Sequence, residues 1–256
     1  MKVATFNVNS IRARLPILTG WLEFHQPDIV GIQETKVEDA KFPMEEITKA
    51  GYHAEILGQK SYNGVAILSK EKPDSVTKGM TTWDEDEDCR VIRATFGDLE
   101  FINTYVPNGT EVGAEKWDYK MRWMEEFKRY CDSLKPHKGG QIWLGDINVA
   151  PEPRDVYDSQ KMAGGVGHHE DEFSRLKTIV EGKWTDCYRE FADDSAFTFW
   201  DFRIPNSVGL DLGWRIDHIY ATGDLAKRCT RCWVDRYPRG LERPSDHTPL
   251  MAEFDI

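Results

Sequence analysis

Cysteine is scarce: there are five in 256 residues, an odd number scattered along the chain. A disulfide framework needs evenly paired, closely spaced cysteines, so these five point to a reducing compartment. The one tight pair, Cys229 and Cys232, has no second pair or histidines at matching spacing and reads as a strand carrying two thiols, not a zinc ribbon. Long apolar runs are missing as well. No stretch approaches the ~20 residues of a membrane span. The chain opens with one basic residue and a short strand-like run, without the apolar core or cleavage site of a leader. The expected location is the cytoplasm. Low-complexity tracts, heptads and short repeats are absent. Basic charge is also short, with 33 Lys and Arg against 44 Asp and Glu and a net charge of −11. That excludes an indiscriminate binder of nucleic acid or anionic membrane, whose basic footprint dominates the whole domain, and leaves room for a local basic groove.

What is present is a globular composition, 40% apolar and 12% aromatic. Strand-length apolar runs at 3–6, 29–32, 64–68, 141–144 and 249–254 each sit beside a polar cluster, and residues 215–216 lead into a further one at 217–220. Between them lie helical stripes: Ile11, Leu15, Leu18 and Leu22; Trp117, Met121, Met124, Cys131 and Leu134; Phe173, Leu176, Ile179 and Val180. Pro16 suits the first of these helices only in its opening turn. The punctuation at 136–140 is either a domain boundary or a loop joining two halves of one domain. Strands alternating with helices imply an α/β layered fold with helices outside the sheets.

The strand ends carry the chemistry. Asn7, Glu34, Asp146, Asn148, Asp217, Asp246 and His247 all flank apolar runs, and ligands in layered α/β folds collect at one rim of the sheet. Asp146 and Asn148, two apart, share a face of an extended segment. With Glu34 they make an oxygen-rich site of the kind Mg²⁺ prefers. A cation there suits phosphate chemistry, where charge develops on the transferring oxygens. Asp217 beside His247 would fix the imidazole tautomer and raise its pKa, giving a cation for a phosphate oxygen.

Seven segments, TFNVN at 5–9, QETK at 33–36, YNGVA at 62–66, NTYVPN at 103–108, WLGDINV at 143–149, GWRID at 213–217 and ERPSDH at 242–247, resemble the exonuclease III family of apurinic/apyrimidinic endonucleases, in that family's order and from end to end of the chain. The resemblance implies a four-layered α/β sandwich of two mixed β-sheets packed face to face, formed by residues 1–256 as one catalytic domain. It implies hydrolysis of a DNA phosphodiester 5′ to abasic sites, dependent on Mg²⁺ with Mn²⁺ as substitute, and with 3′–5′ exonuclease and 3′-end cleaning alongside. The expected partner is double-stranded DNA bearing abasic sites or 3′ blocks, bound by a monomer with no membrane element. By matching positions, Tyr105, Asp146, Asn148, Asp217 and His247 are the expected catalytic residues. Asn7, Glu34, Asp146, Asn148, Asp246 and His247 are the expected metal site, with Glu34 the principal ligand. Either Asp146 or His247 would be the general base.

A baseless sugar offers no base edge to read, so an apolar pocket too small for a nucleobase can select it. Phe199, Trp214 and Ile216 resemble that pocket. Lys36, Tyr62, Asn108, Arg203 and Arg243 are the expected DNA contacts, and Lys60, Arg90, Lys116, Lys120 and Arg215 are further cations for the same face. The segment 150–172 is particular to this chain; its small residues up to Gly167 leave room for a 3′ blocking group, and His168 and His169, being adjacent, do not read as a zinc pair. Two other readings use the same residues: a phosphoesterase of lipid or inositol phosphates, and a catalytically dead DNA-binding protein. The acidity is itself informative. Five charges are the run 84–88, expected as a solvated loop away from DNA, four are the site carboxylates, and the remainder is near neutral.

Overall fold

A computed structural model describes residues 1–83 and 85–256. Among them, twelve strands form two six-stranded sheets. The first contains β1 (Lys2–Asn7), β2 (Ile29–Gln33), β3 (His53–Leu57), β4 (Val65–Ser69), β11 (Cys229–Val234) and β12 (Leu250–Phe254), in the order β11-β12-β1-β2-β4-β3. The second contains β5 (Ser75–Lys78), β6 (Val91–Phe96), β7 (Leu99–Tyr105), β8 (Gly140–Asp146), β9 (Trp184–Asp186) and β10 (Asp217–Thr222), in the order β5-β6-β7-β8-β10-β9. Both are mixed: β1 runs parallel to β2 and antiparallel to β12, and β7 runs parallel to β8, which is antiparallel to β10.

The period of two builds four layers. In β1, Val3 joins the core between the sheets while Ala4 and Phe6 turn outward onto α1 (Ile11–His25). In β8, Ile142 and Leu144 face the inter-sheet core, and Trp143 packs outward on Phe127 of α3 (Glu115–Ser133). The third apolar stripe is α5 (Glu170–Val180), which lies against α3; the short helices α2 (Met44–Lys49) and α4 (Ser159–Met162) precede α3 and α5 in the chain. Strands buried on both faces explain why their runs are nearly continuous in apolar residues. Pro16 sits six residues into α1, past the opening turn, and the helix continues to His25 because Pro16 and Arg12, whose carbonyl loses its partner, are both exposed to solvent. Of the punctuation at 136–140, residues 136–139 lie in the loop between α3 and β8, and Gly140 opens β8. No helix among the described residues is long and apolar enough to cross a membrane.

Three buried polar side chains cross the apolar interior. Asn103 of β7 donates through Nδ2 to the carbonyls of Ile32 (2.9 Å) and Ala66 (2.8 Å) on the opposite sheet. Its Oδ1 accepts from Gln33 Nε2 at 2.6 Å, and Gln33 also donates to Thr5 Oγ1 at 2.9 Å. The sheets approach so closely here that a Cβ on Gly31 would lie 2.0 Å from Leu144 Cδ1. Replacing Asn103 by Leu removes the inter-sheet bonds to two carbonyls that belong to the β2–β4 ladder and leaves one buried Gln33 N–H without its acceptor. At about 1–3 kcal/mol for the unsatisfied group and about 1 kcal/mol for each other lost bond, the expected loss is roughly 3–5 kcal/mol. A urea-unfolding midpoint unchanged in Asn103→Leu would show that this link contributes nothing.

Candidate active site

The polar residues converge because of strand direction. β1, β2, β7 and β8 end at one rim, and β10 and β12, antiparallel to their neighbours, begin there. Asp217 therefore opens β10, not a strand running through 215–216, and its register partner is Asp146 at the end of β8. Asn7 donates through Nδ2 to Glu34 Oε1 at 2.8 Å and Asp146 Oδ2 at 2.9 Å, joining carboxylates from different sheets. His247 is held between two acids, with Nδ1 2.8 Å from Asp217 Oδ2 and Nε2 3.6 Å from Asp146 Oδ2. Asp146, Asp217 and His247 are all buried.

Electrostatics follow from that burial. Desolvation opposes charge on His247, but Asp217 and Asp146 outweigh it and hold its pKa up to about 10. Burial, with Asp217 and Glu34 adding to it, pushes Asp146 up to about 7 against the pull of His247. Burial would also raise Glu34, yet Lys36 at 2.8 Å and Asn7 keep it below the ordinary carboxylate value. Burial and the charges of Glu34 and Asp146 keep the Tyr105 phenol protonated, a donor facing the same space.

Glu34, Asp146 and His247 each bring a ligand atom within 4.8 Å of the others. The donor chemistry fits a hard cation: two carboxylates supply oxygens, and the negative charge that lifts Asp146 is what a divalent ion would relieve. An imidazole that keeps its proton has no lone pair to offer a metal. Asp246 stands off from this trio, lining the same cleft with Oδ1 accepting from Asn9 Nδ2 at 2.9 Å. Asn148 is not on an extended segment with Asp146. β8 stops at Asp146, Asn148 adopts φ 52°, and its N–H closes a turn onto Asp146 Oδ1 at 2.9 Å. Its side chain accepts from Asn108 Nδ2 at 3.0 Å.

Glu34, Asp146, Asp246 and His247 line a cleft of about 670 Å³, whose apolar wall includes Phe199, Trp214 and Ile216. Phe199 pairs through its backbone with both Trp214 and His247, and its ring centroid is 4.9 Å from that of His247. Ile216 packs with Ala150 and Val156 behind it. Gly167 closes the wall at φ 86°, where a Cβ would lie 3.1 Å from Trp214 Cζ3. His168 turns away to the Ala150 carbonyl and His169 caps α5.

Several expected DNA-facing cations are committed elsewhere. Lys120 pairs with Glu172, and Arg215 pairs with Asp155 and Asp186, all five side chains being removed from solvent or nearly so. Arg90 is bound by Asp88, and Lys36 by Glu34 and by Asn9 Oδ1 at 2.5 Å. Arg203 is exposed but forked onto Asp201 at 2.6 Å. Lys60, Lys116, Arg243, Tyr62 and Asn108 remain open to solvent. Nor is the acidic run simply solvated: Asp86 accepts from Tyr119 at 2.7 Å and Asp88 from Arg90 at 2.9 Å, beside Tyr105, while Asp84 lies outside the described residues. Asn9, Ser245 and Thr198 were not anticipated. Ser245 donates to the Asn7 carbonyl at 2.8 Å, and Thr198 Oγ1 accepts the amides of Ile216 and Asp217 at 3.2 and 3.1 Å. Asn9 and Ser245 lie inside recognisable segments; Thr198 has no sequence signal.

Residues 4–247 match the endonuclease/exonuclease/phosphatase family. Exodeoxyribonuclease III of Haemophilus influenzae is 34% identical over 270 aligned residues, covering 99% of this chain and all of that one. Among solved structures, an AP endonuclease from Archaeoglobus fulgidus is 42% identical with a TM-score of 0.95, and the 3′ phosphatase NExo from Neisseria, bound to a product DNA hairpin, is 36% identical with a TM-score of 0.96. Both cover the two chains completely.

Arg215 braces the pocket from behind, its Nε 2.6 Å from Asp155 Oδ1 and its Nη1 2.8 Å from Asp186 Oδ2. Although burial opposes it, Arg215 holds both carboxyls below their ordinary range. Their contribution to stability is therefore complete above the unfolded carboxylate range, near pH 4, and is lost as pH falls through the depressed folded values. Arg215→Met should cost about 3 kcal/mol near neutrality, because it leaves Asp155 with Arg189 and Asp186 with His218 as their remaining partners. It should also flatten the fall in Tm between pH 4 and 2. Parallel Tm–pH curves for the two proteins would contradict this.

Proposed function

The chain belongs to the endonuclease/exonuclease/phosphatase family, in its exonuclease III group of abasic-site endonucleases, and on that basis we propose that it is a DNA repair nuclease hydrolysing the phosphodiester 5′ to an abasic sugar. Residues 1–256 act as a single catalytic domain and as a monomer, with Mg²⁺ as cofactor and Mn²⁺ able to replace it. Trimming and cleaning of 3′ ends accompany incision. The cytoplasm is the expected location, in keeping with five cysteines that are all free thiols. The observation that carries the reading is the adjacency of a buried acid–imidazole–acid line, Asp217–His247–Asp146, to an apolar wall that starts at Phe199.

Glu34 and Asp146 would hold the cation, which when bound would supply positive charge to a phosphate oxygen. His247, kept protonated between its two acids, donates from Nε2 to a second phosphate oxygen, and the Tyr105 hydroxyl donates to the same phosphate. With the imidazole already protonated, Asp146 is the group that orients the attacking water and takes its proton. Asp217 accepts the Nδ1 proton of His247, which orients the ring and supports its charge, and does not touch the substrate. Asn148 and Asn108 face the scissile phosphate as a hydrogen-bonded pair. Phe199, Trp214 and Ile216 receive the flipped sugar and leave no room for a base. Tyr62, Arg203 and Arg243 contact flanking DNA, with Lys36 acting through Glu34 and Asp246 through Asn9. The alternative substrate, an inositol or lipid phosphate, would need polar partners for its ring hydroxyls or glycerol oxygens where this wall presents aromatic and aliphatic carbon.

Purified protein with Mg²⁺ should nick a duplex bearing one abasic site, and chelation should abolish nicking. Asp146→Asn and His247→Ala should each lower the single-turnover rate by on the order of 10² or more with abasic-DNA affinity largely kept. Parallel loss of binding would reassign both residues to structure. A failure to nick with any divalent metal, beside turnover of lipid phosphates, would replace the nuclease reading.

The pocket makes a separate claim. Phe199→Ala should erode the preference for abasic over intact DNA, and Gly167→Val, which pushes a branched side chain toward Trp214, should slow abasic incision by about tenfold or more. If Gly167→Val also leaves 3′ trimming untouched, the loop does not receive 3′ blocking groups.

A further inference from the structure

Lys120 and Glu172 form an ion pair that the mechanism above does not use, and both side chains are wholly buried. Lys120 of α3 directs its three ammonium protons to Glu172, to the Asn148 carbonyl at 2.8 Å and to the Asn108 carbonyl at 3.2 Å. Glu172, in the first turn of α5, accepts the Gly167 amide at 3.0 Å through Oε1 and the His169 amide at 3.1 Å through Oε2. Asn108 and Asn148 belong to the phosphate side of the cleft, and Gly167 to the sugar side against Trp214. A single ion pair thus pins the backbone of both sides.

Such a pair is poor glue. Removing two charges from water costs about what their attraction returns, and an apolar pair of similar volume is often as stable or more so. What the charges add is direction. Each remaining donor and acceptor is aimed at a particular backbone atom, and Asn148, at φ 52°, occupies a backbone region that persists only where its surroundings over-determine it. Reaction rates are steeply sensitive to errors of that kind, since a displacement of ~1 Å at a reacting group can cost ~10²-fold.

We infer that Lys120 and Glu172 are positioning residues for incision, setting Asn148 and Asn108 at the phosphate against Gly167 and Trp214 at the baseless sugar. The inference rests on the nuclease reading above. Neither residue touches the substrate: Lys120 acts through Asn148, and Glu172 through Lys120 and Gly167.

The test is a double-mutant cycle in single-turnover incision of an abasic duplex, comprising the wild type, Lys120→Met, Asn148→Ala and their combination, with DNA affinity and thermal unfolding measured alongside. Lys120→Met is expected to lower the rate about tenfold or more while Kd shifts by less than about threefold, and Lys120→Arg to recover part of the loss. In the Asn148→Ala background the same change should cost only about threefold or less, because of the two side chains it positions only Asn108 remains. A scaffold contribution would instead multiply through undiminished. If Lys120→Met does not fold, Glu172→Gln, which keeps one acceptor and removes the charge, is read in the same cycle. An unchanged rate in the folded variant, or an undiminished loss in the Asn148→Ala background, overturns the positioning role while leaving wild-type nicking intact. Absence of nicking by the wild type overturns the nuclease reading together with it.

Discussion

The amide of Asn103 ties together two sheets that would otherwise be free to slide on a layer of hydrocarbon. Apolar contact is non-directional and fixes no register between facing sheets, whereas the bonds from Asn103 to the Ile32 and Ala66 carbonyls and from Gln33 to Asn103 do. They lie one residue from Glu34 and two from Tyr105. Asn7 then repeats the device in the cleft itself, bridging Glu34 of one sheet to Asp146 of the other. The carboxylates can work together only because their two sheets are locked in this relation.

That lock holds groups which repel one another. Asp217 and Asp146 flank one buried imidazole, with Asp246 and Glu34 in the same cleft, and the imidazole stays charged because the first two outweigh its burial. The backbone shares the constraint: Glu34, Lys36, Asn148 and Arg243 all have φ between 51° and 53°, a region that residues with a Cβ seldom enter. Left-handed residues let a strand end turn abruptly and bring its side chain back over the rim. They persist where hydrogen bonds over-determine them, as the Asn148 turn onto Asp146 does.

The buried cations give the acidity of the chain a second meaning. Arg215 and Lys120, which lie beside the cleft, meet acids and not DNA, and they stiffen the walls from behind. A reading in which every basic residue near a motif faces the phosphate backbone counts charge without depth. Of the cations proposed to face DNA, Lys60, Lys116 and Arg243 lie open to solvent, beside the neutral donors Tyr62 and Asn108.

Local pattern alone determined β1, β2, β4, β8 and β12, the strand holding Cys229 and Cys232, the three long helices, and the fact that polar clusters flank the apolar runs, because side-chain period and turn chemistry act over a few residues. Strands β3, β5, β6, β7 and β9 carry no such run and emerged from pairing within the sheets. The seven segments in their order carried the family, and with it the residues that meet at the rim. Depth and partnership were decided only by the tertiary structure. Nothing near Lys120 in the sequence marks Glu172, 52 residues away, as its partner, and nothing near Asp217 marks Thr198 as the acceptor of its amide. Pro16 inside α1 and the start of β10 at Asp217 likewise followed from what surrounds them: solvent over Arg12 in one case, the end of β8 in the other. A side chain's type is written in the chain, but its charge state and its role depend on how far water is excluded and on which group stands opposite, and those are properties of the packed whole.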